Sequence, residues 1–350
     1  MKKLFFLFVL KMIMLSCFSQ SKPLRQYYYW TNQAELAICD SNFQRANDCF
    51  ARAFTYKFPF ASHLRTVYHL NTHLTHDEEN ILQYAYQLCQ RGDGEYAVAE
   101  YQRSVPYDPK LLSKLQHLAD TTKKIYDTLL QRKLEKIIET DQSFIHQIPA
   151  SIKEDSLNKS NLEAIKDIYQ RYSHVNENTA GQYYWHYLGT PALHYVQAGS
   201  YSLQKILRKQ VNKGDFSAYE FMSLEDEYHW RKSFNKNTPP QDPNRYAQGH
   251  YYCFEMSNTL FINYPANVRK VNRNRKKLGI AETFEEMVTK RIWEFKHRLY
   301  WHPVNHRRYG TEEDTAHEAT KMKQEIDAEH AAGNFSRMYY DRENTSSNVK

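Results

Sequence analysis

Glycine, spaced cysteine pairs and long apolar runs are scarce in this chain, and each shortage excludes a class of protein. Only 10 of 350 residues are Gly, against a usual share of about 7%. The chain contains 28 Tyr and 18 Phe, and this combination favours helices packed by aromatic side chains. No two of the five Cys have the Cys-x-x-Cys spacing of zinc and redox sites. Glycine-rich phosphate loops and Gly-x-Ser-x-Gly elbows are absent too, which excludes the common nucleotide-binding and serine-hydrolase motifs.

The overall composition is that of a folded protein. Apolar residues make up 41% and charged residues 25%, whereas disordered chains contain far fewer aromatic residues. The length allows two domains, because one hydrophobic core usually serves about 100–200 residues. Three of the 47 basic residues lie before residue 20, which leaves 44 against 40 acidic ones. This balance alone does not indicate an anionic partner.

Residues 1–20 are expected to direct export. Two lysines precede an interrupted apolar run over residues 4–15, and small or polar residues come after it, as in a secretory signal. The run is short for a bilayer about 30 Å thick, so a retained transmembrane helix is the less favoured alternative. Residues 14–17 resemble a bacterial lipobox in which Cys17 would carry lipid, whereas residues 18–20 resemble an ordinary cleavage site. We therefore expect a periplasmic, membrane-anchored or secreted protein.

The next segment of the chain resembles a tetratricopeptide repeat. Aromatic and small residues at the repeat spacing, with a proline after them, carry the pattern: Trp30, Ala34, Ala46, Phe50, Ala53 and Pro59. In such repeats the small residues let two antiparallel helices approach, and the proline stops the second helix. Ala37 stands where the family has tyrosine, and Pro59 comes one place late. The resemblance implies a short array of helix pairs with a surface suited to peptides.

Helical spacing continues along the rest of the chain, and the alternation typical of strands is nearly absent. We predict an all-α fold with a repeat array over residues 21–120 and a second helical domain over 121–309. A polar, partly helical tail covers 310–350. The run from 110 to 148 contains no Gly or Pro, which predicts one long or once-broken helix between the two domains.

Residues 130–230 resemble a domain family of unknown function found in exported Bacteroidota proteins. Members carry an Asp-Gln pair on an early helix and a histidine in mid-domain, and Asp141, Gln142 and His194 match these positions. A later Leu-x-Asp-Arg motif corresponds to residues 224–227, where Glu227 replaces the arginine. The resemblance implies a helical fold and export, but no particular chemistry.

Three residues of the second domain form a candidate acid–base set. Asp141, His194 and Asp226 would be catalytic if the helices that carry them face one another. A carboxylate and an imidazole together can transfer protons near neutral pH. Helix caps and buried hydrogen bonds explain the same residue types equally well.

His69 and His73 are the candidate metal ligands. Their spacing of four places both imidazoles on one face of a helix, which suits zinc. The glutamate of a His-Glu-x-x-His motif is absent, so a third ligand would have to come from elsewhere in the fold. The alternative is that both histidines face solvent or cap a helix.

Two further features leave alternatives open. Six of the nine residues from 269 to 277 are basic, and they form either a surface for phosphate groups or an ordinary solvated face. Cys39 and Cys49 would form a disulfide if their helices are antiparallel in an oxidising compartment. Free buried thiols are the alternative for these two and for Cys89 and Cys253.

Together these features predict an exported binding or scaffold module of a bacterial cell envelope. Its helical repeats would bind a protein or peptide partner, and aromatic clusters at residues 27–30 and 183–187 would suit such an interface. We expect no nucleic-acid partner and no cofactor. The alternative function is a hydrolytic or metal-assisted enzyme with its site in the second domain.

Overall fold

The computed structural model describes most of the chain after residue 19. The described residues are 20–104, 108–145, 154–181, 184–197, 202–234, 253–256, 259–265, 267–297, 312–334 and 337–341. Within these ranges no helix is long and apolar enough to cross a membrane. The predicted signal and Cys17 lie outside them.

The first part of the chain is a series of helices that pack in pairs. Its elements are α1 (Lys22–Cys39), α2 (Phe43–Phe54), α3 (Ala61–Leu70), a π-helix (Asn71–Thr75), α4 (Glu78–Gln90), α5 (Gly94–Arg103) and α6 (Pro109–Thr121). Side chains of Ser21, Asp77 and Asp108 accept backbone N–H groups at the starts of α1, α4 and α6, as N-caps do. Ala34, Ala46 and Phe50 are fully buried, and α1 packs against α2. We refer to α1–α6 as the helix-pair array.

Six helices come after the array. They are α7 (Thr128–Ile145), α8 (Glu154–Arg171), α9 (Glu177–Ala180), α10 (Tyr184–Gln197), α11 (Ser202–Lys213) and α12 (Ala218–Phe234). The described part of the run from 110 to 148, which ends at residue 145, thus contains one break, between α6 and α7. Helix α10 packs against both α7 and α12, so these three helices meet.

The last elements add a small sheet. They are β1 (Cys253–Met256), β2 (Thr259–Asn263), α13 (Val268–Lys277), α14 (Phe284–His297), α15 (Glu312–Ala331) and β3 (Arg337–Asp341). Strand β2 lies between β1 and β3, and both pairings are antiparallel. The all-α prediction is confirmed, and this sheet is the feature that it missed. Strand β3 pairs with a strand far earlier in the chain, so no local hairpin signal exists for it.

The array and the later helices share one hydrophobic core. Tyr27, Tyr28 and Phe60 of the array pack in the same cluster as buried residues of α7, α8 and α10–α12. The tyrosine hydroxyl groups bridge segments: the Tyr28 hydroxyl accepts the N–H of Ala218 at 2.9 Å, and the Tyr27 hydroxyl accepts the N–H of Phe60 at 2.9 Å. A second core lies within the array, around Leu64 and Leu88 among others. The array is therefore not packed separately from the later helices.

A buried group of ion pairs fastens α13 and α14 to α1. We call Glu35, Arg275, Glu282 and Lys290 the ion-pair cluster; their side chains are at most 3% exposed. Lys290 donates to Glu35 and lies 2.5 Å from Glu282, which also accepts from Arg275. Burial disfavours the charged amine, yet Glu282 and Glu35 raise the pKa of Lys290 above its usual value. Two carboxylates and two cations balance one another here.

Candidate functional site

His69 and His73 project from the junction of α3 and the π-helix. His69 lies in the last turn of α3, and His73 lies within the π-helix. Asn71 fixes this junction, because it exchanges two side-chain hydrogen bonds with Asn47 of α2 at 3.0 and 2.9 Å. Asn71 also accepts from the Thr75 hydroxyl at 2.9 Å. Short π-helical turns are frequent at functional sites, and this one brings the two imidazole rings into a stack with centroids 4.1 Å apart.

Glu100 of α5 meets both imidazoles. Its Oε1 lies 2.6 Å from Nδ1 of His69 and 2.9 Å from Nε2 of His73. The facing helices are held together nearby by the Tyr68 hydroxyl, which donates to the carbonyl of Ala97 at 2.7 Å. We call His69, His73 and Glu100 the His–Glu cluster.

The electrostatics of the His–Glu cluster keep Glu100 ionised. Hydrogen bonds from His69 and His73 lower the pKa of the Glu100 carboxyl well below its usual value, against the opposing effect of burial. Arg103 adds a third contact, with its Nη1 2.9 Å from Oε2 of Glu100. Both histidine side chains remain accessible, at 23% and 20% exposure. A charged carboxylate and two reachable imidazoles thus share one small space.

The His–Glu cluster has the chemistry and nearly the dimensions of a metal site. One ligand atom from each residue lies within 4.8 Å of the other two. In tetrahedral zinc sites, ligands about 2.0–2.2 Å from the ion lie roughly 3.4 Å apart, so the hydrogen-bonded atoms need to separate by less than about 1 Å. Nε2 of His69 is buried without a hydrogen-bond partner among the described residues, so the ring is held by the hydrogen bond of Nδ1 to Glu100 and by its stack on His73. Glu100 is the residue that the fold adds to the two histidines as a possible third ligand.

The second candidate site is the acid–base set. Nδ1 of His194 on α10 lies 2.7 Å from Oδ2 of Asp141 on α7. Asp141 is 5% exposed and His194 is 23% exposed, and Gln142 donates to the same carboxylate oxygen at 3.0 Å. This is the arrangement in which a buried carboxylate orients an imidazole that faces solvent.

Asp226 lies on α12, which packs against α10, and its side chain is fully buried. Asp141 and His194 lie within hydrogen-bonding distance of each other. Their meeting results from the packing of α7 against α10.

Comparisons with known proteins identify no relative. Searches against protein-family models, curated proteins and solved structures found no match to this chain. The resemblances to tetratricopeptide repeats and to an exported Bacteroidota domain therefore stay predictions. The chemistry open to the candidate sites is inferred from their geometry and residue types alone.

The residues of the two predicted aromatic clusters differ in burial, and the cysteines are unpaired among the described residues. Tyr27 and Tyr28 are completely buried, Tyr29 is exposed, and the Trp30 ring lies 3.9 Å under the guanidinium of Arg52. At the second aromatic cluster, Tyr184 is buried in the core. Residue 183 and the side chains of residues 185 and 187 lie outside the described part of the chain. Among the described residues all four cysteines are free, with Cys49, Cys89 and Cys253 buried and Cys39 half-buried.

Proposed function

We propose that this protein is a helical binding module whose array holds a divalent transition-metal ion through His69, His73 and Glu100. The observation that carries the proposal is the convergence of three ligand atoms within 4.8 Å. Zn²⁺ is the best fit, because two imidazoles and one carboxylate form a mixed nitrogen and oxygen donor set that zinc accepts in tetrahedral geometry.

Three protein ligands leave one coordination position for water or for a group from a partner. Sites with a fourth protein ligand are closed and structural, whereas sites with three keep an exchangeable position. The accessible faces of His69 and His73 allow such an outside ligand to reach the ion. This supports a binding role for the array. The peptide partner, the export and the envelope location remain predictions alongside it.

Titration of the full-length chain with Zn²⁺ in a calorimeter tests the proposal. His69→Ala, His73→Ala and Glu100→Gln should each weaken binding by more than about 100-fold, since even groups that only support metal ligands contribute about 10–100-fold. His117→Ala is the matched control, because His117 is an exposed histidine on α6. Equal Zn²⁺ affinity in the wild type and the two histidine variants would contradict the proposal.

A second candidate function is acid–base catalysis by Asp141 and His194. The 2.7 Å contact supports it, since a carboxylate that orients an imidazole is the common arrangement for a general base. Asp141 would hold the ring, and His194 would accept or donate the proton at its other nitrogen. This is the hydrolytic alternative, and it requires no metal at the His–Glu cluster.

A panel of chromogenic esters, amides, glycosides and phosphoesters tests the second candidate. Any hydrolysis should be lost in His194→Gln and strongly reduced in Asp141→Asn. His174→Gln is the control, because His174 contacts Asp215 at 3.1 Å but is 63% exposed. Activity that survives in His194→Gln would rule out this set.

A further inference from the structure

Lys57 lies between α2 and α3, in a short segment that contacts two cations. Its own Nζ donates to the carbonyl of Phe58 at 2.9 Å. Arg91, just after α4, donates to the carbonyl of Pro59 and lies 4.5 Å from the centre of the Phe58 ring. Arg91 is buried and pairs with Glu177 at 3.7 Å. Lys57 makes no such ion pair among the described residues, so the nearby carboxylate compensates Arg91 and not Lys57.

Aromatic rings lie against the amine of Lys57. Its Nζ is 3.8 Å from the centre of the Phe60 ring and 5.6 Å from the centre of the Tyr27 ring, and both rings are buried. A third element approaches the lysine stem, because a Cβ placed on Gly214, just after α11, would lie 3.2 Å from Cε of Lys57. Lys57 itself is only half-buried. The amine therefore rests on an apolar surface and is still accessible from solvent.

This environment favours the neutral form of the amine. Burial lowers the pKa of Lys57 from 10.5 to about 8; Arg91 acts in the same direction, and Glu177 and Asp215 oppose it. With that pKa, roughly a quarter of the amine is unprotonated at pH 7.5, against about 0.1% for an ordinary lysine. Lysines that are desolvated, or that lie beside a second cation, are the nucleophilic ones that form Schiff bases with carbonyl compounds. Lys57 meets both conditions.

Two exposed cations lie at the helix ends beside Lys57. Lys213 is the last residue of α11 and directly precedes Gly214, and Lys22 is the first residue of α1. These two ends meet, because the Cβ placed on Gly214 would also lie 3.2 Å from a methyl group of Leu24. Asp215, the next residue, is buried and hydrogen-bonded to other side chains. Exposed positive charge raises the local concentration of anions.

We propose that Lys57 is a covalent binding site for small anionic carbonyl compounds. The neutral amine adds to the carbonyl carbon, a C=N bond replaces the C=O bond, and both amine protons leave with the carbonyl oxygen as one water molecule. No electrons are transferred, so no oxidant or reductant is needed. Lys22 and Lys213 attract the anionic group, while Phe60 and Tyr27 keep water from the amine. The proposal is independent of the His–Glu cluster and of the acid–base set.

Labelling of the full-length chain with two matched aldehydes tests the proposal. The probes are 4-carboxybenzaldehyde, which is anionic, and its neutral methyl ester; borohydride traps the imine, and peptide mass spectrometry locates it. At pH 7.5 Lys57 should react at least roughly 10-fold faster than the exposed Lys110 and Lys136, since the neutral amine is the reacting form. The rate at Lys57 should level off above about pH 8, whereas the rates at the exposed lysines should keep rising. The ratio of acid to ester labelling should be several-fold higher at Lys57 than at Lys110.

Variants of the two exposed cations separate charge from folding. Lys22→Gln/Lys213→Gln should remove the preference of Lys57 for the anionic aldehyde and leave its rate with the ester unchanged. Lys22→Arg/Lys213→Arg keeps the charge and should keep the preference. Lys110→Gln/Lys136→Gln removes exposed cations from α6 and α7 and should leave the labelling of Lys57 as it is. Equal rates at Lys57 and the exposed lysines, no preference for the anionic aldehyde at Lys57, or equal losses in the two glutamine variants would each overturn the proposal.

Discussion

The ion-pair cluster and the His–Glu cluster are both groups of polar side chains in a helical protein, but they differ in solvent exposure and in charge balance. The ion-pair cluster is at most 3% exposed and contains two cations and two carboxylates. The histidines of the His–Glu cluster are 20–23% exposed. In the first, every charge faces an opposite charge on the protein. In the second, two imidazoles share one carboxylate oxygen and remain reachable from outside.

The comparison teaches which polar group fastens helices and which one can bind. Charges that are sealed and balanced have no free position for a ligand, and removing one leaves another without compensation. A neutral imidazole that is accessible to solvent can give up a hydrogen bond and bind a metal ion through the same nitrogen. Burial and balance, more than the residue types alone, separate the two roles.

The largest expected effect is on the ion-pair cluster. Lys290→Met should destabilise the protein by about 3–5 kcal/mol, because it removes the buried cation that faces Glu35 and Glu282. Chemical denaturation measures the change. Lys296→Met on the exposed face of the same helix should change stability by less than about 0.5 kcal/mol. A decrease of less than about 1 kcal/mol in the free energy of unfolding of Lys290→Met would mean that water reaches the ion-pair cluster in solution.

The second prediction concerns metal-dependent stability. Zn²⁺ at about 100 times its Kd should raise the free energy of unfolding by about 2.7 kcal/mol, because the ion binds the folded state. Thermal unfolding with Zn²⁺ and with a chelator measures it. The gain should disappear in His73→Ala and persist in His117→Ala. If Zn²⁺ still stabilised His73→Ala, the ion would bind at a site other than the His–Glu cluster.

A third, smaller effect separates the two histidine–aspartate pairs. His194→Ala should cost about 1–3 kcal/mol, because Asp141 is buried and loses a hydrogen-bond donor. His174→Ala should cost less than about 1 kcal/mol, because His174 is largely exposed. Denaturant unfolding of both variants measures the difference. Equal losses would show that Asp141 is more accessible to water than its 5% exposure indicates.

The smallest effect tests the start of α14, which carries Lys290. Thr283 accepts the N–H of Glu286 at 3.2 Å, and Glu286 accepts the N–H of Thr283 at 2.8 Å. Thr283→Ala should cost about 1 kcal/mol, whereas Thr283→Ser should be nearly neutral. Both values come from thermal unfolding. A neutral Thr283→Ala would indicate that the ion-pair cluster alone holds this helix in place.

Local features of the fold were predictable, and features that depend on distant contacts were not. The apolar stripe of α14 is a consequence of spacing along the chain. The break between α6 and α7 was one of two alternatives that the spacing left open. The third strand of the sheet could not be predicted locally, because it comes from the tail and pairs with a strand far earlier in the chain. Of the His–Glu cluster, the spacing of His69 and His73 gave two members. Glu100 carries no signal of its own, since glutamate on a helix is ordinary.

The sequence by itself determined the helical class and the pairs of residues that share a helix face, because these depend on neighbours within about one turn. Only the tertiary structure decided which side chains face one another. It placed Glu100 against His69 and His73, Asp141 against His194, and Lys290 between two carboxylates. It also buried Arg275 and left its basic neighbours on the surface. Such pairings depend on how whole helices pack, and that packing depends on the apolar surface of the entire chain.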